Sequence, residues 1–181
     1  YGLKILYDSK VNIGLFVLYA SQFCKNGKIF CFEPIKENYN LLLDNISLNN
    51  IKNIFPYNIA VTKKTSTAKI FLNEDESGHS MYVKNKNFVE INSKSLFDIF
   101  TENDIKECDF LKIDCEGAEY EIIESLPSDF FVKIKKMVIE YHMADSNPEL
   151  LEKLITKLKQ FSFSVYTRPL FNDIGFLFGK K

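Results

Sequence analysis

Carboxylates follow two apolar runs of this sequence, and this placement suits ligand binding in an α/β protein. The first run, Lys28–Phe32, is followed directly by Glu33. The second run, Phe110–Asp114, continues into Glu116 and Gly117. Each run predicts a buried strand with carboxylates at its C-terminal end, and open α/β sheets bind their ligands outside those ends. The pattern therefore predicts a nucleotide-like cofactor and an enzyme.

The second run also carries charges within the strand itself. Because side chains alternate between the two faces of a strand, Ile113 points to one face and Lys112 and Asp114 to the other. Two charges on a central strand are costly unless they are paired or functional. A structural ion pair between Lys112 and Asp114 is one interpretation, and a catalytic cluster is the other.

A third acidic strand end follows at Glu140, Tyr141 and His142. His142 could serve as a general base, remain a hydrogen-bonded structural residue, or join Asp114 and Glu140 around a divalent ion. No spacing rule demands a metal here, so a metal site is possible but not predicted. We expect Asp114 and His142 to be the catalytic residues, with Glu116 and Glu140 orienting them.

The turn after the first strand is poor in glycine. Cofactor-binding turns use glycine so that the backbone can approach the ligand. Gly14 is the one glycine in this turn, and Lys10 occupies the position where the first glycine of such a turn would be expected. Glu33 follows Gly14 by about 20 residues, the separation that ribose recognition requires. The alternative role for Glu33 is to complement the dipole of the helix that starts after Pro34.

The composition narrows the class of protein. A chain of 181 residues, 46% of them hydrophobic, fits one domain that spans residues 1–181. A net charge of -1 argues against a nucleic-acid or anionic-membrane partner. No signal peptide or bilayer-spanning run is evident, and the four cysteines lack metal-finger spacing, so a reducing, cytoplasmic setting is expected. Because the chain starts almost directly with a strand, it could also be a domain cut from a longer protein.

Strand and helix patterns alternate, which predicts an α/β fold with a mostly parallel sheet. The predicted strands are residues 3–7, 29–32, 54–60, 67–72, 88–91, 110–114, 136–141, 163–167 and 174–178. The predicted helices are residues 13–24, 37–48, 95–103, 118–126 and 148–161. The last two strands are predicted to form an antiparallel hairpin. The polar stretch 73–87, which contains His79, is too long for a tight connection and is expected to be a substrate loop.

Taken together, these residues resemble the FkbM family of S-adenosylmethionine-dependent methyltransferases over nearly the whole chain. The most specific segments are 32–34, 38–39, 42–49, 58–60, 111–119 and 140–142. The resemblance implies a Rossmann-like class I methyltransferase fold: a mostly parallel seven-stranded sheet with a C-terminal antiparallel hairpin and helices on both faces. It also implies S-adenosylmethionine as the cofactor.

The resemblance further implies roles for particular residues. Glu33 would hold the ribose hydroxyls of the cofactor, and Asn58 would lie near its adenine. Asp8, Asn12 and Gly14 would border its methionine end. Asp114 would lie where cofactor and acceptor meet. The implied reaction is methyl transfer to a hydroxyl of a small acceptor, such as a sugar unit of a glycan or a natural-product alcohol.

The first turn departs from the pattern of the family, which has a glycine-alanine-asparagine run where this chain has Lys10, Val11 and Asn12. A lysine adds a long side chain and a positive charge beside a sulfonium. The alternative function is therefore a catalytically silent binding module that keeps the fold. A nicotinamide-dependent oxidoreductase is disfavoured, because its pyrophosphate needs a closer backbone approach than a glycine-poor turn allows.

Overall fold

The computed structural model describes residues 5–8, 11–71 and 88–181. The strands are β1 (Ile5–Asp8), β2 (Lys28–Phe32), β3 (Ile54–Tyr57), β4 (Ala60–Thr62), β5 (Ser66–Phe71), β6 (Phe88–Ser95), β7 (Phe110–Asp114), β8 (Lys136–Tyr141), β9 (Ser164–Phe171) and β10 (Ile174–Lys180). The helices are α1 (Leu15–Ser21), α2 (Lys36–Leu48), α3 (Leu96–Glu102), α4 (Glu119–Glu124), α5 (Ser128–Val132) and α6 (Pro148–Gln160). The predicted substrate loop at 73–87, with His79, and the unusual Lys10 lie outside the described residues.

A seven-stranded sheet has the strand order β3-β2-β1-β7-β8-β10-β9. The pairings from β3 to β8 are parallel, whereas β10 runs antiparallel to both β8 and β9. The sheet is therefore mixed, and the predicted C-terminal hairpin is confirmed. The chain builds outward from β1 in one direction and from β7 in the other, so the topological switch point lies between these two strands.

A second sheet of three strands, in the order β4-β6-β5, accompanies the first. The single strand predicted at 54–60 is wrong, because residues 54–57 form β3 of the large sheet, whereas Ala60 begins β4 of the small sheet. The chain leaves the large sheet at Asn58, whose side-chain amide donates to the backbone oxygens of Glu33 and Pro34. These two hydrogen bonds hold the bend in place.

The first helix is shorter than predicted. It runs over Leu15–Ser21 rather than 13–24 and buries Val17 and Ala20. Gly14 precedes it with a φ of 93°, which starts the helix two residues late. Leu15, Tyr19 and Phe23 are each more than half exposed. The short helix α5 was not predicted, since five residues give too little periodicity to recognise.

Helices cover both faces of the large sheet, as the resemblance implied. Along β2, Ile29 and Cys31 pack in one apolar cluster, which also contains residues of α1 and α2. Phe30 and Phe32 pack on the opposite face in a larger cluster that contains residues of α3 to α6. This division follows from the alternation of side chains along a strand. None of the helices in the described ranges is long and apolar enough to cross a membrane.

Candidate active site

An ion pair occupies the switch point. Asp8 ends β1 and is paired in register with Lys112 of β7. The Lys112 Nζ lies 3.0 Å from Asp8 Oδ1 and 3.9 Å from Asp114 Oδ2. The Lys112–Asp114 pair, one of the two interpretations of these charges, is thus present, but the closer partner of Lys112 is the fully buried Asp8. This partner was not predicted, because it depends on the register of two strands far apart in sequence.

The charge of Lys112 is stabilised by these carboxylates. Burial acts to lower the pKa of the Lys112 ammonium, but the charges of Asp8 and Asp114 outweigh it and raise that pKa. Lys112 therefore stays positively charged at neutral pH and offsets part of the negative charge at the strand ends.

Glu33 connects the turn after β1 to the turn after β2. Its side chain is only 2% exposed. The backbone N–H of Asn12 donates to Oε2 at 2.8 Å, and the backbone N–H of Ile35 donates to Oε1 at 2.9 Å. The bond from Ile35 lies at the start of α2, as the helix-dipole interpretation of Glu33 predicted. The bond from Asn12 is not required for a helix-dipole role. Each carboxylate oxygen can accept more than one hydrogen bond, so these two contacts are compatible with additional bonds from ribose hydroxyls.

The turn before α1 is built closely around Gly14. Asn12 and Gly14 have positive φ values of 51° and 93°. A Cβ on Gly14 would lie 2.4 Å from Cδ1 of Leu42 in α2, so only glycine fits without displacing that side chain. The turn therefore keeps Asn12 beside Glu33. Asn58 also lies beside Glu33, with its amide group bonded to backbone oxygens, and its contact with adenine stays a prediction.

The segment after β7 turns sharply toward the end of β8. Glu116 and Gly117 have positive φ values of 50° and 104°. The backbone N–H of Gly117 donates to Glu119 Oε2 at 2.8 Å. Glu119 Oε1 accepts from the backbone N–H of His142 at 2.8 Å and lies 3.1 Å from His142 Nδ1. The Tyr120 hydroxyl donates to the backbone oxygen of His142 at 2.5 Å.

Glu119 lies at the centre of this contact, although the sequence motifs indicated no role for it. The spacing of Glu119 could have indicated its burial. Glu119 precedes Ile122 and Ile123 by three and four residues and therefore shares the apolar face of α4. A carboxylate on an apolar helix face needs buried partners.

His142 lies at the end of β8 among acidic side chains. Its Nε2 is 3.5 Å from Glu116 Oε2 and 4.0 Å from Glu140 Oε1. Burial acts to lower the pKa of the His142 imidazole, but the hydrogen bond to Glu119 and the charges of Glu119, Glu116 and Asp114 outweigh it and raise that pKa. Burial and the charge of Asp114 raise the pKa of Glu140 as well.

The structure thus brings together both predicted catalytic residues. Asp114, Glu140 and His142 each offer one ligand atom, and these atoms lie within 4.8 Å of one another, which is close enough for a divalent cation. Without a metal, a proton on His142 Nε2 would face Glu116 at 3.5 Å and Glu140 at 4.0 Å. The chemistry available here is proton transfer at His142 Nε2, next to the switch point.

Comparison with solved structures identifies the fold. The crystal structure of the methyltransferase FkbM from Methylobacillus flagellatus KT matches with a TM-score of 0.66 and 16% identity, over 98% of this chain and 43% of that chain. Fibrillarin from Aeropyrum pernix, solved with natively bound S-adenosyl-L-methionine, matches with a TM-score of 0.57 and 14% identity, over 98% of this chain and 66% of that chain. The fold is the α/β fold of class I methyltransferases.

The family follows from the sequence match. Residues 8–165 match the methyltransferase FkbM domain, and the chain belongs to this family. Methyltransferase 1 from Beauveria bassiana (strain ARSEF 2860) is 23% identical over 185 residues, which cover 90% of this chain and 74% of the relative. The chain spans less than half the length of the FkbM crystal structure that it matches.

Proposed function

We propose that this chain is an S-adenosylmethionine-dependent methyltransferase that methylates a hydroxyl of a sugar, a glycan or a small natural product. The observation that carries the proposal is the placement of three carboxylates at neighbouring strand ends around the switch point. Glu33 follows β2, Asp8 ends β1 and Asp114 ends β7. Membership of the FkbM family supports the reaction class.

The side chains at this edge fit S-adenosylmethionine. A nearly buried carboxylate, Glu33, suits a pair of vicinal ribose hydroxyls, because it only accepts hydrogen bonds. Asp8 and Asp114 add negative charge at the switch point, which favours a cationic sulfonium there. The bound S-adenosyl-L-methionine of the fibrillarin relative supports the same cofactor. Asn12 and Gly14 form the adjoining turn, where the methionine end would lie.

The bound cofactor would supply an electrophilic methyl group on its sulfonium sulfur. A hydroxyl is a weak nucleophile at neutral pH, so the protein must take its proton as the new bond to oxygen forms. His142 accepts that proton at Nε2. Glu116 and Glu140 lie beside this nitrogen and stabilise the imidazolium that results. Asp114 orients the acceptor hydroxyl between His142 and the switch point.

A methyl-transfer assay tests this proposal. The chain is incubated with methyl-¹³C S-adenosylmethionine and a panel of monosaccharides, oligosaccharides and natural-product alcohols, and ¹³C NMR detects new methoxy signals. Loss of general base catalysis predicts that His142→Gln lowers kcat by about 10² to 10⁴-fold, and loss of acceptor orientation predicts that Asp114→Ala lowers it by about 10²-fold. Asp129→Ala is the matched control, because this aspartate is exposed and lies in helix α5 rather than at the end of a strand.

Two results would count against the proposal. An Asp114→Ala protein that methylates at the parent rate would remove Asp114 from its role. Absence of product with every acceptor, from a folded chain that also fails to bind the cofactor, would favour the silent binding module instead.

A further inference from the structure

We propose that Glu119 is the positioning residue of this site: it holds His142 in the tautomer that carries its proton on Nδ1, so that the lone pair of Nε2 faces the acceptor. The inference rests on the proposed function, in which His142 is the base. It adds a residue for which the motif pattern alone indicated no role.

Glu119 is a buried carboxylate that forms hydrogen bonds with two separate segments of the chain. Its side chain is fully buried at the start of α4. One oxygen accepts from the backbone N–H of Gly117, and the other faces both the backbone N–H and Nδ1 of His142. A single carboxylate therefore connects the turn after β7 to the end of β8.

The contact to Nδ1 determines the tautomer. An ionised carboxylate is only an acceptor, so Nδ1 must carry the hydrogen in the 3.1 Å contact. A neutral imidazole carries one hydrogen, and Nε2 is then the basic nitrogen. The two backbone bonds alone would satisfy a purely structural carboxylate. The additional bond to Nδ1 is the one that sets the orientation of the ring.

Several elements place charged groups around the imidazole. Asp114 belongs to β7, Glu116 to the turn that follows it, Glu119 to α4 and Glu140 to β8. These carboxylates favour the protonated ring, and Lys112 offsets part of the charge of Asp114. Of the four, Glu119 is the one placed at Nδ1, whereas Glu116 and Glu140 lie near Nε2. Glu119 is therefore the group that distinguishes the two ring nitrogens.

The substitution Glu119→Gln separates this role from simple packing. Glutamine has nearly the same shape but offers one oxygen and one NH₂ group where glutamate offers two oxygens. If the oxygen stays at His142, the NH₂ group faces the N–H of Gly117. If the amide is reversed, the NH₂ group donates to Nδ1 and the ring proton moves to Nε2. In either case the protein loses a contact that only the carboxylate provides.

Histidine NMR reads the tautomer directly. The chain has two histidines, so ¹⁵N-histidine labelling gives two imidazole patterns, and the pattern missing from His142→Gln belongs to His142. Spectra are recorded with EDTA over a range of pH for the wild type, Glu119→Gln and Glu121→Gln. Glu121 is the control, because it lies on the same helix in an exposed ion pair with Lys63.

The expected wild-type spectrum shows hydrogen on Nδ1 once the ring is neutral. Glu119→Gln should lower the pKa of His142, because both amide orientations lose the negative charge at Nδ1, and the reversed orientation should populate the Nε2–H tautomer, while Glu121→Gln matches the wild type. In the methyl-transfer assay, Glu119→Gln should lower kcat by at least about tenfold, while the Kd for S-adenosylmethionine stays within about threefold.

The wild-type spectrum tests the predicted Nδ1–H tautomer of His142 even if Glu119→Gln does not fold. A wild-type Nε2–H tautomer would overturn the proposal, and so would a folded Glu119→Gln protein with the wild-type tautomer and pKa. A wild-type Nδ1–H tautomer in a chain that transfers no methyl group would overturn the proposed function and leave the positioning role of Glu119 supported.

Discussion

The contribution of the buried Lys112–Asp8 ion pair to the free energy of unfolding can be estimated and measured. Lys112→Met keeps most of the side-chain length but removes the charge 3.0 Å from Asp8 Oδ1. At an effective dielectric constant of about 20, that attraction is about 5 kcal/mol before desolvation is counted. Breaking a buried pair typically costs about 3–5 kcal/mol, because the remaining charge stays buried.

Protonation of Asp8 limits this loss. Adding a proton at pH 7 to a carboxyl with an ordinary pKa near 3.9 costs about 4 kcal/mol, so the expected loss is about 3–4 kcal/mol. The pKa of Asp8 would then rise in the folded Lys112→Met protein. Because Asp8 is then protonated more readily in the folded variant than in the unfolded chain, the free-energy penalty grows as the pH rises above the pKa of Asp8 in the unfolded chain. The loss in the free energy of unfolding should therefore be smaller at pH 5 than at pH 7.

Urea denaturation at both pH values measures this effect. With an m-value of about 2 kcal/mol/M, the Lys112→Met midpoint at pH 7 should fall by about 1.5–2 M. The double variant Asp8→Asn/Lys112→Met should recover most of the loss. Lys106→Met, which removes a lysine from an exposed pair with Asp104, is the control and should leave the midpoint nearly unchanged. A Lys112→Met midpoint within about 0.5 M of the wild type at both pH values would refute the reasoning.

Three further predictions concern the core, the thiols and the pH dependence of stability. Phe131 is fully buried and stacks on Phe161 at 4.2 Å, so Phe131→Ala should lower the free energy of unfolding by about 3–5 kcal/mol in urea denaturation. The neighbouring Val132 is 77% exposed, so Val132→Ala should change it by less than about 0.5 kcal/mol, and equal effects would contradict this packing. Burial raises the pKa of the Cys108 thiol to about 12, whereas Cys115 is partly exposed. Iodoacetamide should therefore modify one thiol of the native chain by mass spectrometry and none in Cys115→Ser, and modification of several thiols would be the opposite result. Because the pKa of His142 is raised above its usual 6.5, its stabilising contribution is complete below 6.5 and is lost as the pH rises through the folded value. The difference in unfolding free energy between the wild type and His142→Gln should shrink from about pH 6 to about pH 8, and a difference that grows over this range would contradict the assigned contacts.

The elements that the sequence predicted best are the buried strands. The observed bounds of β7 and β8 agree with the predicted ones, because each is a short apolar run between polar segments. The carboxylates at their ends could be located from strand alternation alone. Helix α1 was predicted too long, since its left-handed start at Gly14 depends on packing against Leu42 of α2.

The pairings within the site could not be predicted in the same way. Lys112 and Asp8 are neighbours only because β1 and β7 align in register. Glu119 meets His142 only because the turn after β7 reaches the end of β8. Such contacts depend on tertiary structure, whereas the sequence pattern indicates only that each charged group needs a partner.

Calorimetric titration with S-adenosylmethionine and S-adenosylhomocysteine tests the central claim most directly. The matched variants are Glu33→Ala, which removes the carboxylate after β2, and Glu37→Ala, which removes an exposed glutamate from the first turn of α2. We predict micromolar binding by the wild type and Glu37→Ala, and loss of binding by a folded Glu33→Ala protein. Equal binding by all three proteins, or no binding by the folded wild type, would contradict the assigned cofactor site.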